Sequence, residues 1–243
     1  MSRLTAARRI AIGLIALLLV IAVVLGAFGV NLVRRAFPQT SGQITIPGLS
    51  SKVSVLRDDR GVPQIYADNP ADLLRAEGFV HAQDRFFEMD LRRHVTAGRL
   101  SELVGSAGVK TDRVIRTMGW RRVAEAELPT LKPETRQYLQ AYADGVNAYI
   151  SRAGTLSRMS LEYSILGQKV PDYRVEKWTP VDSLAWLKAM AWDLIGDYDN
   201  ELMRATIYGR VTDAQLNELF PSYPEQQNKP ILSSADWSAS SSS

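Results

Sequence analysis

Hydrophobic residues follow two different patterns in the first third of the chain. Residues 10–30 are all apolar or glycine and carry no charge, which is enough for a helix that spans the ~30 Å of a membrane's hydrocarbon core. Around Val53 and Val55, apolar and polar residues alternate. The chain then turns through residues 58–61 and resumes an extended pattern at Ile65. This second pattern predicts a β-hairpin.

Helical spacing dominates the rest of the chain. Asn69-Pro70 predicts a helix start, because asparagine can accept bonds from free backbone N–H groups and proline fits the first helical turn. Pro133 and Pro180 predict two further starts, and residues 152–180 predict irregular chain because glycines and prolines punctuate them. The stripe predicted for the first of these helices consists of Leu73, Ala76, Val80, Phe87 and Leu91, flanked by Phe79, Phe86 and Leu100.

These patterns divide the chain into five parts. A basic tail, residues 1–9, precedes the apolar segment 10–30, and a polar juxtamembrane linker follows over residues 31–49. Residues 50–222 have the length and the periodicity of one folded domain. Residues 223–243 end in a serine tract without periodicity, which predicts a disordered spacer.

The apolar segment has two interpretations, a cleaved signal peptide and an uncleaved anchor. Its length exceeds the ~7–15 apolar residues of a signal peptide and no Ala-x-Ala site closes it, so we favour the anchor. Arginines flank both ends, and their small excess before the segment places the N-terminus in the cytoplasm and the domain outside it. Under the alternative, cleavage would release a secreted or periplasmic domain.

The basic net charge belongs to the flanks of the apolar segment. The chain has a formal charge of +3, but residues 1–36 contain five arginines and no acidic residue, so the remainder is slightly acidic. Basic runs interleaved with aromatic residues are absent from that remainder, which excludes a nucleic-acid partner. Because the chain has no cysteine, disulfides and thiolate chemistry are excluded as well.

The chain's own residues carry no recognisable catalytic triad. Its two histidines, His81 and His94, lie beside no Gly-x-Ser-x-Gly motif. We interpret His81 as a packed structural residue and His94 as a solvated charge in the last turn of a helix. Asp84 and Arg85 are interpreted as an ion pair that fixes the helix against its neighbours. One acidic, oxygen-rich loop, residues 197–201, could ligate a hard cation such as Ca²⁺, the other interpretation being a solvated loop.

Several spaced sequence blocks occur in the order found in a known family. The blocks are Arg57-Asp58-x-x-Gly61-Val62-Pro63-x-Ile65, Gly78-Phe79-x-x-Ala82-Gln83-Asp84-Arg85, Arg92-Arg93-x-x-x-x-Gly98-Arg99-x-x-Glu102-x-x-Gly105, Tyr142-Ala143-Asp144-Gly145-Val146-Asn147-Ala148-Tyr149 and Trp178-x-Pro180-x-Asp182. In these blocks the chain resembles the N-terminal part of the penicillin acylases (penicillin amidases), which are N-terminal-nucleophile hydrolases. The resemblance spans roughly residues 42–208.

The resemblance implies an α+β fold and a partner subunit. The chain would be the mostly helical first-subunit part of the family's αββα sandwich, with an N-terminal β-hairpin and a transmembrane helix. In the family, a precursor cuts itself, and the new N-terminal serine of the large second subunit attacks the amide, with its own α-amino group as base. The family's Ser-Asn-x-Trp nucleophile motif does not occur here. We therefore expect a first-subunit region without catalytic residues of its own, inactive until the second subunit completes it.

The resemblance also assigns candidate site residues. An ungapped count from the Trp178 block places Ala191, Leu194 and Ile195 in the helix segment that lines the family's acyl pocket, where two aliphatic residues replace the arginine and aromatic residue of some members. Ordinary core positions of an amphipathic helix are the alternative interpretation. The same count places Glu201 at the position of a calcium ligand, so structural Ca²⁺ is the expected cofactor.

Two functions are therefore expected from the sequence. The first is a membrane-anchored subunit of a hydrolase that acts on carbon–nitrogen bonds in linear amides, such as penicillins, N-acyl-homoserine lactones or other small acyl amides. The second is a catalytically inactive, membrane-anchored remnant or binding scaffold, suggested by the missing nucleophile motif and the serine-rich end. The codons that follow the serine tract would separate the two functions.

Overall fold

The computed structural model describes residues 3–224 and residue 227. It divides into two compact units, with the boundary between Ala191 and Trp192. The described residues are mostly helical and contain one two-stranded sheet. The helices and strands, in chain order, are α1 (Arg3–Arg34), β1 (Ser54–Arg57), β2 (Pro63–Tyr66), α2 (Pro70–Ala97), α3 (Ser101–Val104), α4 (Val109–Met118), α5 (Trp120–Glu127), α6 (Pro133–Ala153), α7 (Leu156–Met159), α8 (Glu162–Lys169), α9 (Pro180–Leu194), α10 (Asp197–Ile207) and α11 (Asp213–Leu219).

The apolar N-terminal segment forms one continuous helix. Of α1, the residues Ala11–Arg34 are long and apolar enough to cross a membrane by length and composition alone, and none of that stretch is buried in the protein. After α1, the segment predicted as a linker contacts the domain. Gln39 accepts hydrogen bonds from Gln83 and Arg152, and Ile44 and Ile46 pack against the hydrophobic core.

The predicted β-hairpin is confirmed. β1 and β2 pair antiparallel, with Val55 opposite Ile65. The turn forms because the Asp58 carboxylate accepts the backbone N–H groups of Arg60 and Val62, while Gly61 takes a positive φ of 79° that other residues rarely adopt. The sequence signal was therefore sufficient for this element.

The helix start at Asn69-Pro70 is also confirmed, and it ties the preceding chain to α2. The Asn69 side chain accepts the backbone N–H of Asp72 at 2.9 Å. The buried Asp72 carboxylate in turn accepts hydrogen bonds from Ser50, Ser51 and Asn69. These bonds, those from Ser50 first, hold the pKa of Asp72 well below its usual value. The carboxylate thus stays charged and fixes the chain that leads into the hairpin.

Helices α2 and α6 form the centre of the first unit. Phe79, Phe86 and Val146 are almost fully buried between them, and Tyr149 packs edge-on against Phe79 with ring centroids 5.8 Å apart. On the predicted stripe, Ala76 and Val80 are buried and Leu73 is 37% exposed, while the flanking Phe79 and Phe86 are buried as well. Helix α2 is also kinked at Arg85, whose φ of −143° is not helical.

Three sequence interpretations are wrong in the structure. Residues 152–180 are not irregular throughout, because α7 and α8 form there. His94 is not a solvated charge: it is 2% exposed, and its Nδ1 lies 2.7 Å from the carbonyl oxygen of Asp90. Asp84 pairs with Arg57 at 2.8 Å, across to the hairpin, rather than with Arg85. In each case the outcome depends on packing against residues that are distant in the chain, and local sequence patterns carry no information about such packing.

The last part of the chain departs from the prediction in one further respect. The acidic segment that we expected to interrupt a helix as a loop is the first turn of α10, which begins at Asp197. Only Ile195 and Gly196 separate α9 from α10. The helix α11 begins at Asp213, and Thr212 before it forms a capping box with Gln215. Apart from residues 223, 224 and 227, the spacer predicted as disordered lies outside the described residues.

Candidate functional site

The three residues predicted to line an acyl pocket lie at the C-terminal end of α9 and just beyond it. Ala191 and Leu194 are one helical turn apart, and Ile195 follows the last residue of the helix. All three are exposed, with Leu194 at 76% and Ile195 at 61%. Apolar side chains this exposed at a helix end form a surface that another element can cover. Their role in an acyl pocket stays a prediction.

The N-terminal end of α9, by contrast, is fixed to the domain. The Asp182 carboxylate accepts both the backbone N–H and the hydroxyl of Thr179, which caps the helix start. The same carboxylate accepts a hydrogen bond from Arg121 at 2.8 Å and is 3% exposed. Asn147 exchanges two hydrogen bonds with the backbone of Trp178 and positions the chain that leads into the helix.

The predicted calcium ligand lies on the surface of α10. The Glu201 side chain is 71% exposed, and its nearest charged neighbour is Arg204 at 3.6 Å. Within the described residues, no three His, Cys, Asp or Glu side chains are grouped so that they could hold a metal ion. Since Ca²⁺ takes six to eight oxygen ligands, these residues do not form a calcium site by themselves. Glu201 could supply one ligand to a site completed from elsewhere.

Neither histidine is placed for nucleophilic catalysis. The Nδ1 atom of His81 lies 3.0 Å from the hydroxyl of Tyr142, and burial raises the pKa of that tyrosine to about 12. His94 is hydrogen-bonded to a backbone oxygen. Among the described residues, therefore, no serine hydroxyl is hydrogen-bonded to a histidine, and these residues show no nucleophile and base pair.

The sequence did not reveal a buried polar cluster around Asp90. Its carboxylate is 1% exposed and accepts hydrogen bonds from the Arg93 guanidinium and from the hydroxyls of Tyr163 and Tyr173. Burial, followed by the Asp90 charge, raises the pKa of both tyrosines above the ordinary range, so that both remain donors. A carboxylate with all its partners inside the protein is structural, and it anchors α2 to α8 through Tyr163 and to the chain after α8 through Tyr173.

Two clefts open on the first unit. The larger, of about 660 Å³, lies between the chain at residues 39–57 and the α2 residues Ala76, Phe79, Val80 and Gln83. The smaller, of about 310 Å³, lies between residues 33–38, the kink in α2 and residues 159–162. None of Ala191, Leu194, Ile195 or Glu201 lines either cleft.

These features define a class of protein: a helical chain with an open β-hairpin, exposed apolar surfaces and no catalytic set within its described residues. Residues 52–243 match the family model of penicillin amidase. The chain belongs to the penicillin amidase family.

Curated relatives include two kinds of acylase. The chain is 38% identical over 157 residues to the penicillin acylase 2 proenzyme of Pseudomonas sp. strain SE83, a match that covers 65% of this chain and 19% of the relative. It is 34% identical over 191 residues to the acyl-homoserine lactone acylase QuiP of Pseudomonas aeruginosa, covering 79% and 22%. The chain thus spans about a fifth of the length of these relatives.

The chain also matches a solved structure of the same family, and in this comparison it covers nearly the whole of the matched chain. The chain matches a thermostable penicillin G acylase from Alcaligenes faecalis with a TM-score of 0.55 and 26% identity. The match covers 75% of this chain and 95% of that chain. This chain is therefore consistent with one part of a larger precursor or with one subunit, and its helical fold with a small sheet is that of an acylase chain.

Proposed function

We propose that this chain is the first-subunit region of an amidohydrolase that cleaves the carbon–nitrogen bond of linear acyl amides, with the nucleophilic serine supplied by a second, larger subunit of the same precursor. Family membership carries the proposal, together with the chain's coverage of nearly a whole chain in the solved acylase but only about a fifth of the proenzymes. The relatives are named for penicillins and acyl-homoserine lactones, so the proposed substrates share an acyl group on an amide nitrogen.

The same proposal gives the exposed end of α9 a function. Leu194 and Ile195 would form one wall of the acyl pocket once the second subunit covers them. An aliphatic wall favours longer acyl chains, because each buried methylene contributes about 0.8 kcal/mol, or roughly a fourfold change in an equilibrium constant.

Activity of the whole gene product tests the proposal. We expect the protein encoded by this region and everything downstream to release a carboxylic acid from acyl amides, with kcat/KM rising by up to about fourfold per methylene of the acyl chain. Leu194→Asn should flatten that rise, whereas Leu187→Asn, at another exposed position of α9 outside the predicted pocket, should not. A processed gene product that hydrolyses no member of the panel would support the inactive scaffold instead.

We propose further that Glu201 contributes one carboxylate to a structural calcium site shared with the second subunit. Its exposure on α10 leaves the carboxylate free to reach another chain. Titration calorimetry of the whole gene product should show Ca²⁺ binding that Glu201→Gln weakens by tenfold or more, about 1.4 kcal/mol. Glu218→Gln, on α11, is the matched control. Equal affinity in both variants would contradict the assignment.

Membrane anchoring through α1 is the last part of the proposal. The supporting observation is the length and composition of Ala11–Arg34, with its exposed apolar surface. We expect the whole gene product to remain in the membrane pellet after alkaline carbonate extraction, and a variant without residues 1–34 to move to the supernatant. Protease added from outside should digest the domain in intact spheroplasts. Full release by carbonate of the complete protein would exclude an anchor.

A further inference from the structure

The larger cleft has an open strand edge as one wall. In an antiparallel pair, successive residues direct their backbone groups alternately toward the partner strand and away from it. The Asp58 N–H donates to the Val62 carbonyl at 3.2 Å, which continues the ladder and sets the alternation. Leu56 therefore faces β2, and Val55 and Arg57 direct their N–H and C=O groups to the free edge. Residues of β1 line the cleft and those of β2 do not.

The opposite wall is irregular chain without strand partners, bent at Ser41 and Gly42. Residues 39–46 line the cleft along their whole length, and Gln83 and Arg152 hold this segment in place through Gln39. Apart from the hairpin's own ladder, no backbone–backbone hydrogen bond in the described part of the chain involves residues 39–57. Both walls therefore offer backbone donors and acceptors that no other backbone group uses, although the carbonyl oxygens of Gln39 and Ser41 accept from side chains.

The floor of the cleft is largely apolar. Ala76, Phe79 and Val80 of α2, all 4% exposed or less, form its apolar part, and Gln83 is the polar residue of α2 that lines it. Open backbone groups at the sides and apolar side chains below are what a strand needs when it adds to a sheet edge, since alternate side chains point down and the backbone pairs sideways. A small acyl ligand could cover the floor but would leave the donors of the strand edge unused.

We propose that an extended strand from the second subunit occupies this cleft and pairs with the free edge of β1 at Val55 and Arg57. This inference rests on the proposed function, because it takes its partner from the same precursor. Two observations identify that partner: a two-stranded sheet is marginally stable alone, and relatives of this chain are about five times longer than the part it matches. The inserted strand should carry apolar side chains at alternate positions, facing Phe79 and Val80.

Amide hydrogen exchange of the whole gene product tests the pairing. In an isolated hairpin the amide of Leu56 is bonded and those of Val55 and Arg57 are not. In the complete protein, we expect the amides of Val55 and Arg57 to exchange within about threefold of the rate of Leu56, because a third strand protects them. Alternating fast and slow exchange along β1 would overturn the proposal and would fit a small ligand or an empty cleft.

A photo-crosslinker identifies the occupant. A photoreactive phenylalanine analogue in place of Thr45, an exposed residue of the cleft wall, should form an adduct with one short peptide of the second subunit. The same analogue in place of Thr117, on α4 and outside the cleft, reports background. Adducts only within this chain would overturn the proposal. Amidase activity measured on the same preparation shows whether the strand pairing or the proposed function has failed. If the enzyme is active but the edge of β1 stays open, the strand pairing alone is disproved. If the gene product has no second subunit, both the strand pairing and the proposed function are disproved.

Discussion

Replacing Gly145 with alanine is expected to cost about 3 kcal/mol or more of stability, at or beyond the upper end of ordinary overpacking effects. Helices α2 and α6 cross where Gly145 faces the backbone of α2. A β-carbon at this position would lie 1.9 Å from the carbonyl oxygen of Arg75 and 2.9 Å from the backbone nitrogen of Phe79. Backbone atoms inside a helix cannot move aside alone, so the helices must separate and expose the core around Phe79.

The reciprocal contact lies one turn away on the other helix. A β-carbon on Gly78 would lie 2.1 Å from the carbonyl oxygen of Tyr142, so the two glycines together allow the close approach. The matched control is Gly167→Ala in α8, where nothing lies within 4 Å of the added carbon and alanine should stabilise the helix by about 0.5–1 kcal/mol. Urea unfolding midpoints and soluble yield would measure the difference. Equal stability of the two variants would contradict the crossing geometry.

The sequence predicted the elements whose signals are local. The hairpin follows from alternation and an Asp-x-x-Gly turn, and the start of α2 follows from Asn69-Pro70, because these residues act on backbone groups within four positions of themselves. The kink at Arg85 has no such local signal, and the predicted stripe of α2 did not distinguish the exposed Leu73 from the buried Ala76 and Val80. The short helices α7 and α8 were missed because they are held by packing, with Met159 and Tyr163 buried in the core.

Residues that interact across the chain were the ones misread. Glycine at positions 78 and 145 signals a backbone crossing only when both helices are seen together. His94 follows Asp90 by one helical turn, a spacing equally typical of a solvated pair. Its burial depends on Tyr173, 79 positions further along, whose ring lies 5.8 Å away. The candidate site was the hardest feature to predict from this sequence, because its remaining walls and ligands are proposed to lie outside this chain.

The second large effect is expected for Asp90→Asn, which should lower the free energy of unfolding by about 3–5 kcal/mol. That is the usual cost of removing one partner from a buried ion pair. The substitution keeps the shape of the side chain and removes its charge. Arg93 is 4% exposed and would keep its positive charge, with only the carbonyl oxygens of Glu176 and Lys177 left as partners. The hydroxyls of Tyr163 and Tyr173, both held as donors, would then compete for one amide oxygen.

An exposed ion pair on the same helix is the control, because neutralising its carboxylate removes a charge without leaving a buried partner. Glu88 and Arg92 lie four residues apart on the same helix, with side chains 47% and 45% exposed, so Glu88→Gln should cost less than about 1 kcal/mol. Chemical unfolding of the whole gene product, followed by near-ultraviolet circular dichroism, would report loss of the tyrosine environment together with stability. If the two variants unfold at the same denaturant concentration, the Asp90 cluster does not anchor α2. Near-native stability of Asp90→Asn combined with unchanged tyrosine signals would carry the same conclusion, because only an accessible carboxylate can be neutralised without consequence.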